Sequence, residues 1–211
     1  MKKTLITLSK VFLTIALLFL GSFFAYKSIT KNNLENKLEN LNGNWTELIK
    51  LQEEKNNILK VLINNIPPNI QYSDSLYIHL TRKTYNKKNI DECSPELVYQ
   101  EYLSNKYMLP LIKFYTENEK TLNDQEKESF KKIQFNLENT NKVIEKYNLS
   151  VKDYNSFYSS FPNFLIAKSY NFKRKNYFEI QFGVENLDPK IVKKERRDWQ
   201  RKIEMEHGLS E

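Results

Sequence analysis

The residues able to do chemistry are few and scattered. The chain of 211 residues holds one cysteine, Cys93, and two histidines, His79 and His207. A single cysteine excludes an intrachain disulfide and any multi-cysteine zinc site. The histidines lie far apart and make no metal-spaced pair, so we expect no metal and no cofactor. No nearby histidine or basic pair would lower the Cys93 pKa, which points to an inert thiol rather than a nucleophile. Glu53, Glu54, Glu138 and Glu145 could pair for acid–base work, yet glutamate is ordinary on the wet face of a helix. A Ser-His-Asp set is lacking, and 4 Gly leave no room for a glycine-rich phosphate loop. We therefore expect no catalytic site and no enzymatic activity.

Charge narrows the partners. Lys+Arg is 33 against 26 Asp+Glu. Three of the bases, Lys2, Lys3 and Lys10, belong to an acid-free amino-terminal stretch. The remaining surplus is spread thinly, unlike the clustered footprint of a nucleic-acid binder, so no nucleic-acid partner is expected. One stretch does concentrate bases: Lys190, Lys193, Lys194, Arg196, Arg197, Arg201 and Lys202, with Trp199 among them. Asp188-Pro189 signals a helix start just before it. The alternative function is therefore a lipid- or membrane-surface-binding module working through this basic carboxy-terminal helix. Its apolar line, Val192, Trp199 and Ile203, is thin, and that favours a solvated terminal helix.

Elements that would position these residues can be read from hydropathy. Residues 11–26 (VFLTIALLFLGSFFAY) carry no charge. Extended back to Leu5, the run spans about 33 Å as a helix, against a hydrocarbon core of about 30 Å. Lys10 can snorkel to the headgroups. No small-x-small cleavage site follows, and no cysteine for a lipid anchor. A retained single-pass anchor through residues 5–26 is expected rather than a cleaved signal. Lys2, Lys3 and Lys10 precede the run and Lys27, Lys31 and Lys37 follow it, a tie that sets no orientation.

Past the anchor, Leu34, Leu38, Leu41, Trp45, Leu48, Leu59, Leu62 and Ile66 recur at helical spacing, with Gln52 and Lys55 interrupting the stripe. Pro67-Pro68 stops this coiled-coil-like helix. Residues 67–94 read as an irregular loop in which Leu76–Leu80 could dock on the bundle, with His79 a bystander. Ser94 and Pro95 open a second helix as N-cap and first residue, with Pro110 expected to kink or end it. Asn123 or Asp124 caps a third, whose stripe is the most regular in the chain. It runs Phe130, Ile133, Leu137, Thr140, Ile144, Tyr147, Val151, Tyr154, Tyr158 and Phe161. Pro162 ends it. Residues 163–170 make a short helix or turn, and Tyr177–Gly183 a short extended piece.

The seven-residue spacing puts Tyr147, Tyr154 and Phe161 on one stripe, with Asn148 and Asn155 at its edge. Each asparagine is expected to bond across to a neighbouring helix and fix its register. The expected fold is all-α: a transmembrane helix, then an antiparallel long-helix bundle of three to four helices. The boundaries are 1–27 for the anchor, 28–187 for the bundle and 188–211 for the basic tail. An unpaired stretch of the stripe would also drive self-association.

The segment 147–179 carries a recognisable set: Tyr147-Asn148, Tyr154-Asn155, Phe161-Pro162, Ala167, Asn171-Phe172 and Tyr177-Phe178-Glu179. It resembles the LemA family of bacterial membrane proteins. Trp45 matches the family's tryptophan in its first long helix, and Asn57-Ile58-Leu59 its Asp-Leu-Ile. The likeness runs over 125–180 and, in outline, over 5–66. Glu54-Lys55 departs from the family's basic pair, Asn171 from its glycine, and 67–121 from its usual helix. The tail after 188 is not part of the shared pattern. The resemblance implies a single-pass protein of the bacterial inner membrane with no assigned activity, and a cytoplasmic bundle. It is compatible with a scaffold or adaptor for unknown protein partners.

Overall fold

The computed structural model describes residues 2–64 and 93–206, with side chains over 12–64, 93–199 and 201. The described backbone is 83% helical and holds no strand, so the fold is all-α as expected. Its helices are α1 (Lys2–Asn64), α2 (Pro95–Glu117), α3 (Asp124–Ser159), α4 (Asn163–Ser169) and α5 (Pro189–Glu206). A 3-10 turn, Glu119–Thr121, precedes α3. The expectations on Ile66, Pro67-Pro68, Leu76–Leu80, His79 and His207, and on the irregular loop up to residue 92, lie outside the described residues.

Local chemistry sets the helix ends. Ser94 Oγ accepts from the Leu97 amide, with Pro95 in the first turn. Ahead of α3, Asn123 Oδ1 accepts from the Glu126 amide and Glu126 Oε2 from the Asn123 amide, a reciprocal capping box. Two ends differ from expectation. Of the two outcomes expected at Pro110, a kink or an end, the end does not occur: α2 continues to Glu117. Its buried Met108, Leu111 and Tyr115 flank the proline, and their burial offsets one missing backbone donor. Helix α3 ends at Ser159, so periodicity no longer holds Phe161 on the stripe, and Phe161 is 80% exposed.

The chain forms two compact units. One comprises Met1–Leu41 with Ser150–Lys175 and the other Asn42–Leu149 with Asn176–Glu211. In the first, α1 contributes Thr30, Leu34 and Leu41 to the interior, α3 Val151 and Tyr154, and α4 Ile166 and Ala167. Lys37 pairs with Asp153 at 2.6 Å, and the Tyr26 hydroxyl donates to Asn163 Oδ1 at 2.6 Å. These contacts set α1 and α3 antiparallel there.

In the second unit, α1, α2 and α3 surround one core: Leu59, Leu62, Met108, Leu111, Tyr115, Leu122, Phe130, Ile133 and Leu137. Each large aliphatic buried there contributes about 1.5–3 kcal/mol. Direction follows from the register. Lys55 pairs with Glu101 and the Leu62 carbonyl accepts from the Tyr115 hydroxyl, so α1 and α2 run the same way. Asn136 donates to the Leu51 carbonyl, and Trp45 packs on Tyr147, so α3 runs against α1.

Gln52 and Lys55, read as breaks in the α1 stripe, are both 1% exposed. At Lys55 the stripe continues because α2 answers with the buried Glu101.

Candidate functional site

An extended backbone without a sheet must find partners for its amides and carbonyls elsewhere. Residues 172–181 lie in no helix or strand. Side chains of α3 satisfy them. Asn148 donates from Nδ2 to the Phe178 carbonyl and accepts on Oδ1 from the Phe178 amide, both at 2.8 Å. Asn155 does the same to Lys175, at 2.8 and 2.9 Å. Asn141 does it to Phe182, at 2.8 and 3.0 Å. A carboxamide has one donor face and one acceptor face, so it copies the edge of a β-strand one residue at a time.

The spacing has a physical reason. Seven helical residues advance about 10.5 Å, and three to four extended residues cover about 10–13 Å. A heptad of asparagines is therefore commensurate with an extended chain. Beside them the buried tyrosines supply single donors. Tyr147 gives its hydroxyl proton to the Asn176 carbonyl at 2.9 Å, and Tyr154 to the Lys173 carbonyl at 3.0 Å. The two asparagines thus do not bond to a neighbouring helix, as the stripe suggested. Their partner is backbone of the segment that follows α4. Asn141 was missed, although it stands seven residues before Asn148.

Around Phe178 the packing is aromatic. Trp45 lies 5.2 Å from the Tyr147 ring and 6.3 Å from Phe178, centroid to centroid. Cys93 is buried beside them and its Sγ donates to the Tyr177 carbonyl at 3.2 Å. Burial pushes the Cys93 thiol up from 9.0 to about 12, the opposite of an activated nucleophile. Burial also raises the Tyr147 phenol, with Cys93 adding to it. Tyr177 and Glu179 face outward and Phe172 is half-buried.

Helix α4 ends on a left-handed residue. Asn171 has φ 59°, the Phe172 amide reaches back to Ala167 O at 3.0 Å, and the Asn171 amide to Lys168 O at 3.1 Å. This cap demands glycine or, next best, asparagine. The family glycine replaced by Asn171 is thereby accounted for. Ala167 is 0% exposed, which leaves no room for a larger side chain under the cap. Pro162 directly precedes α4 and is half-buried.

The other candidates separate. Among the described residues no group of His, Cys, Asp or Glu could hold a metal. Glu138 pairs with Lys142, one turn along the same helix, at 2.6 Å, and Glu54 and Glu145 are exposed. In the basic helix α5, Lys193, Lys194, Arg196, Arg197, Trp199 and Arg201 are exposed. Lys190 sits 3.8 Å over the Tyr99 ring of α2, while the Lys202 side chain lies outside the described residues. A shallow groove of about 430 Å³ is lined by Tyr102, Asn105, Leu109, Phe182 and Val184.

No curated protein and no solved structure matches the chain. A model of the LemA family matches residues 105–192. The span opens within α2, earlier than the shared motifs do, and closes in the first turn of α5. Trp45 and the outline over 5–66 lie outside it. All three asparagines, both buried tyrosines and the backbone they hold lie inside it. Over that span the chain matches the LemA family, consistent with a LemA family member.

Proposed function

We propose that this chain is a membrane-anchored helical-bundle protein that scaffolds other membrane or envelope proteins and has no catalytic activity. The observation that carries the reading is α1. Phe12, Leu13, Ile15, Leu17, Leu18, Phe19, Leu20, Phe23 and Phe24 are all at least half exposed, so residues 12–24 of the helix are apolar on every face. It is the one described helix long and apolar enough to cross a membrane. It also continues without interruption to Asn64, which suits a retained anchor better than a segment cut from its bundle. The polar atoms of Asn148, Asn155, Tyr147 and Tyr154 are bonded to backbone, a structural use that leaves the shared motif with packing rather than chemistry.

The test uses a carboxy-terminal tag on the full chain. Retention in carbonate-washed membranes supports the anchor, and a tag washed into the soluble fraction ends it. Protease protection in intact cells then assigns the side of the bundle. The scaffold reading requires a defined protein that co-purifies with the full chain and is lost when residues 42–211 are deleted.

The second reading, a lipid-surface module in α5, draws on its outward bases and on Trp199, 64% exposed. A blue shift of Trp199 emission that needs anionic vesicles and reverses with salt would favour it.

A further inference from the structure

The first unit brings a second apolar feature to the level where the anchor leaves the bilayer. The α3–α4 corner carries Phe161 at 80% exposure and Leu165 at 52%, on a surface with no partner among the described residues to cover them. Phe164 stands beside them, its ring 6.3 Å from that of Phe161. The corner's height along α1 is set by two contacts. Lys37 meets Asp153, and Tyr26 meets Asn163. Tyr26 is the last residue of the uncharged run, so Asn163, two residues after Phe161, lies at the edge of the hydrocarbon.

Charge at this end has one sign. Lys27 and Lys31 sit 4.8 and 5.5 Å over the Tyr170 ring, and Lys168 lies 5.8 Å over Phe164. Lys173, Arg174 and Lys175 follow in the same unit. Residues 27–34 and 160–175 contain no acid. Aromatic side chains with cations behind them are what a membrane–water interface selects.

We propose that the α3–α4 corner is a second membrane contact, with Phe161 and Leu165 seated in the interfacial layer and the surrounding bases on anionic headgroups. The occupant is lipid because the corner is continuous with the membrane-crossing helix through Tyr26–Asn163. The proposal rests on the retained-anchor reading. Such a contact would fix the tilt of the first unit against the bilayer, which a lone helix cannot do.

The test is nitroxide accessibility on the full chain in phosphatidylcholine vesicles containing phosphatidylglycerol. Labels are placed at Phe161→Cys, Leu165→Cys, Leu18→Cys within the apolar run, and Glu39→Cys farther along α1. The unsubstituted chain reports any labelling of buried Cys93. Oxygen collisions exceeding those of a water-soluble nickel chelate at 161 and 165, as at 18 and unlike 39, are the expected result. Labels at 161 and 165 as nickel-accessible as 39, with 18 still lipid-facing, overturn the corner contact and leave the anchor standing. Such a result would return the face to a protein partner. A nickel-accessible 18 removes the anchor itself and the proposal with it.

Discussion

Two polar regions of this protein are buried on opposite terms. Along α3, Asn141, Asn148 and Asn155 each place donor and acceptor on a single backbone residue, so both polar atoms of every amide have a partner. Between α1 and α2, Lys55 and Glu101 pair, but their neighbours do not. Both amide atoms of Gln52, Asn56 Oδ1, Ser104 Oγ and Asn105 Oδ1 are buried with no hydrogen-bond partner among the described residues. A fully satisfied network specifies one arrangement, and a partly satisfied one costs stability at each orphaned atom. The comparison teaches that the α3 clamp is the determined part of the fold. The seat of α2 is the part held with least to spare.

The largest effect should come from the α2 seat. Glu101→Ala removes the carboxylate that pairs with the buried Lys55 ammonium, and should cost about 3–5 kcal/mol in denaturant unfolding. Lys55→Met combined with Glu101→Leu should recover most of that, because well-packed apolar residues escape the desolvation penalty. A single substitution that costs less than about 1 kcal/mol, the usual worth of an exposed pair, would break the comparison.

Next comes the clamp. Asn148→Ala strips the Phe178 backbone of both partners while Phe178 stays 2% exposed, an expected loss of about 2–3 kcal/mol. Asn148→Leu keeps the bulk and should lose as much. If leucine restores stability, packing rather than hydrogen bonding holds the segment.

Alkaline pH probes the same region. The folded Cys93 thiol is raised from 9.0 to about 12, so it favours the native state below pH 9 relative to higher pH. As pH rises from 9 towards 12 the unfolded chain loses its thiol proton first, and stability should fall by about 1.4 kcal/mol per unit at most. Tyr115, raised by burial from 10.0 to about 12, adds to the fall above pH 10. Cys93→Ala should delay the onset from pH 9 to pH 10 in denaturation midpoints measured across that range. An unchanged onset would mean that the thiol is not protected as its burial indicates.

The smallest effect is at the α4 cap. Asn171→Gly should leave melting within about 0.5 kcal/mol of the original, while Asn171→Val should lose about 1–2 kcal/mol for its left-handed backbone. Equal behaviour of the two would show that the cap is not maintained in solution.

Much of this was legible from residue order. Helix ends at Ser94 and Asn123, the core positions from Phe130 to Tyr154, and the apolar run of α1 follow from short-range rules. Capping and periodicity depend only on residues within a turn or two of one another. The set from Tyr147 to Glu179 was also visible as a pattern, whereas the short extended piece expected over Tyr177–Gly183 runs into a turn at Phe182-Gly183. What those asparagines bond to was not, because a carboxamide at the edge of a stripe serves a helix or an extended chain equally well. Gln52 and Lys55 looked like interruptions for the same reason. A polar residue on an apolar face is a break or a contact according to what the opposite helix presents, and Glu101 stands 46 residues away. Tertiary structure alone decided that α1 and α2 run the same way, that Phe161 turns outward once α3 ends, and that one strand-like segment is held by side chains. Local sequence sets which face of each element is apolar; only the packed chain sets which polar group meets which, since that pairing is a property of two distant segments at once.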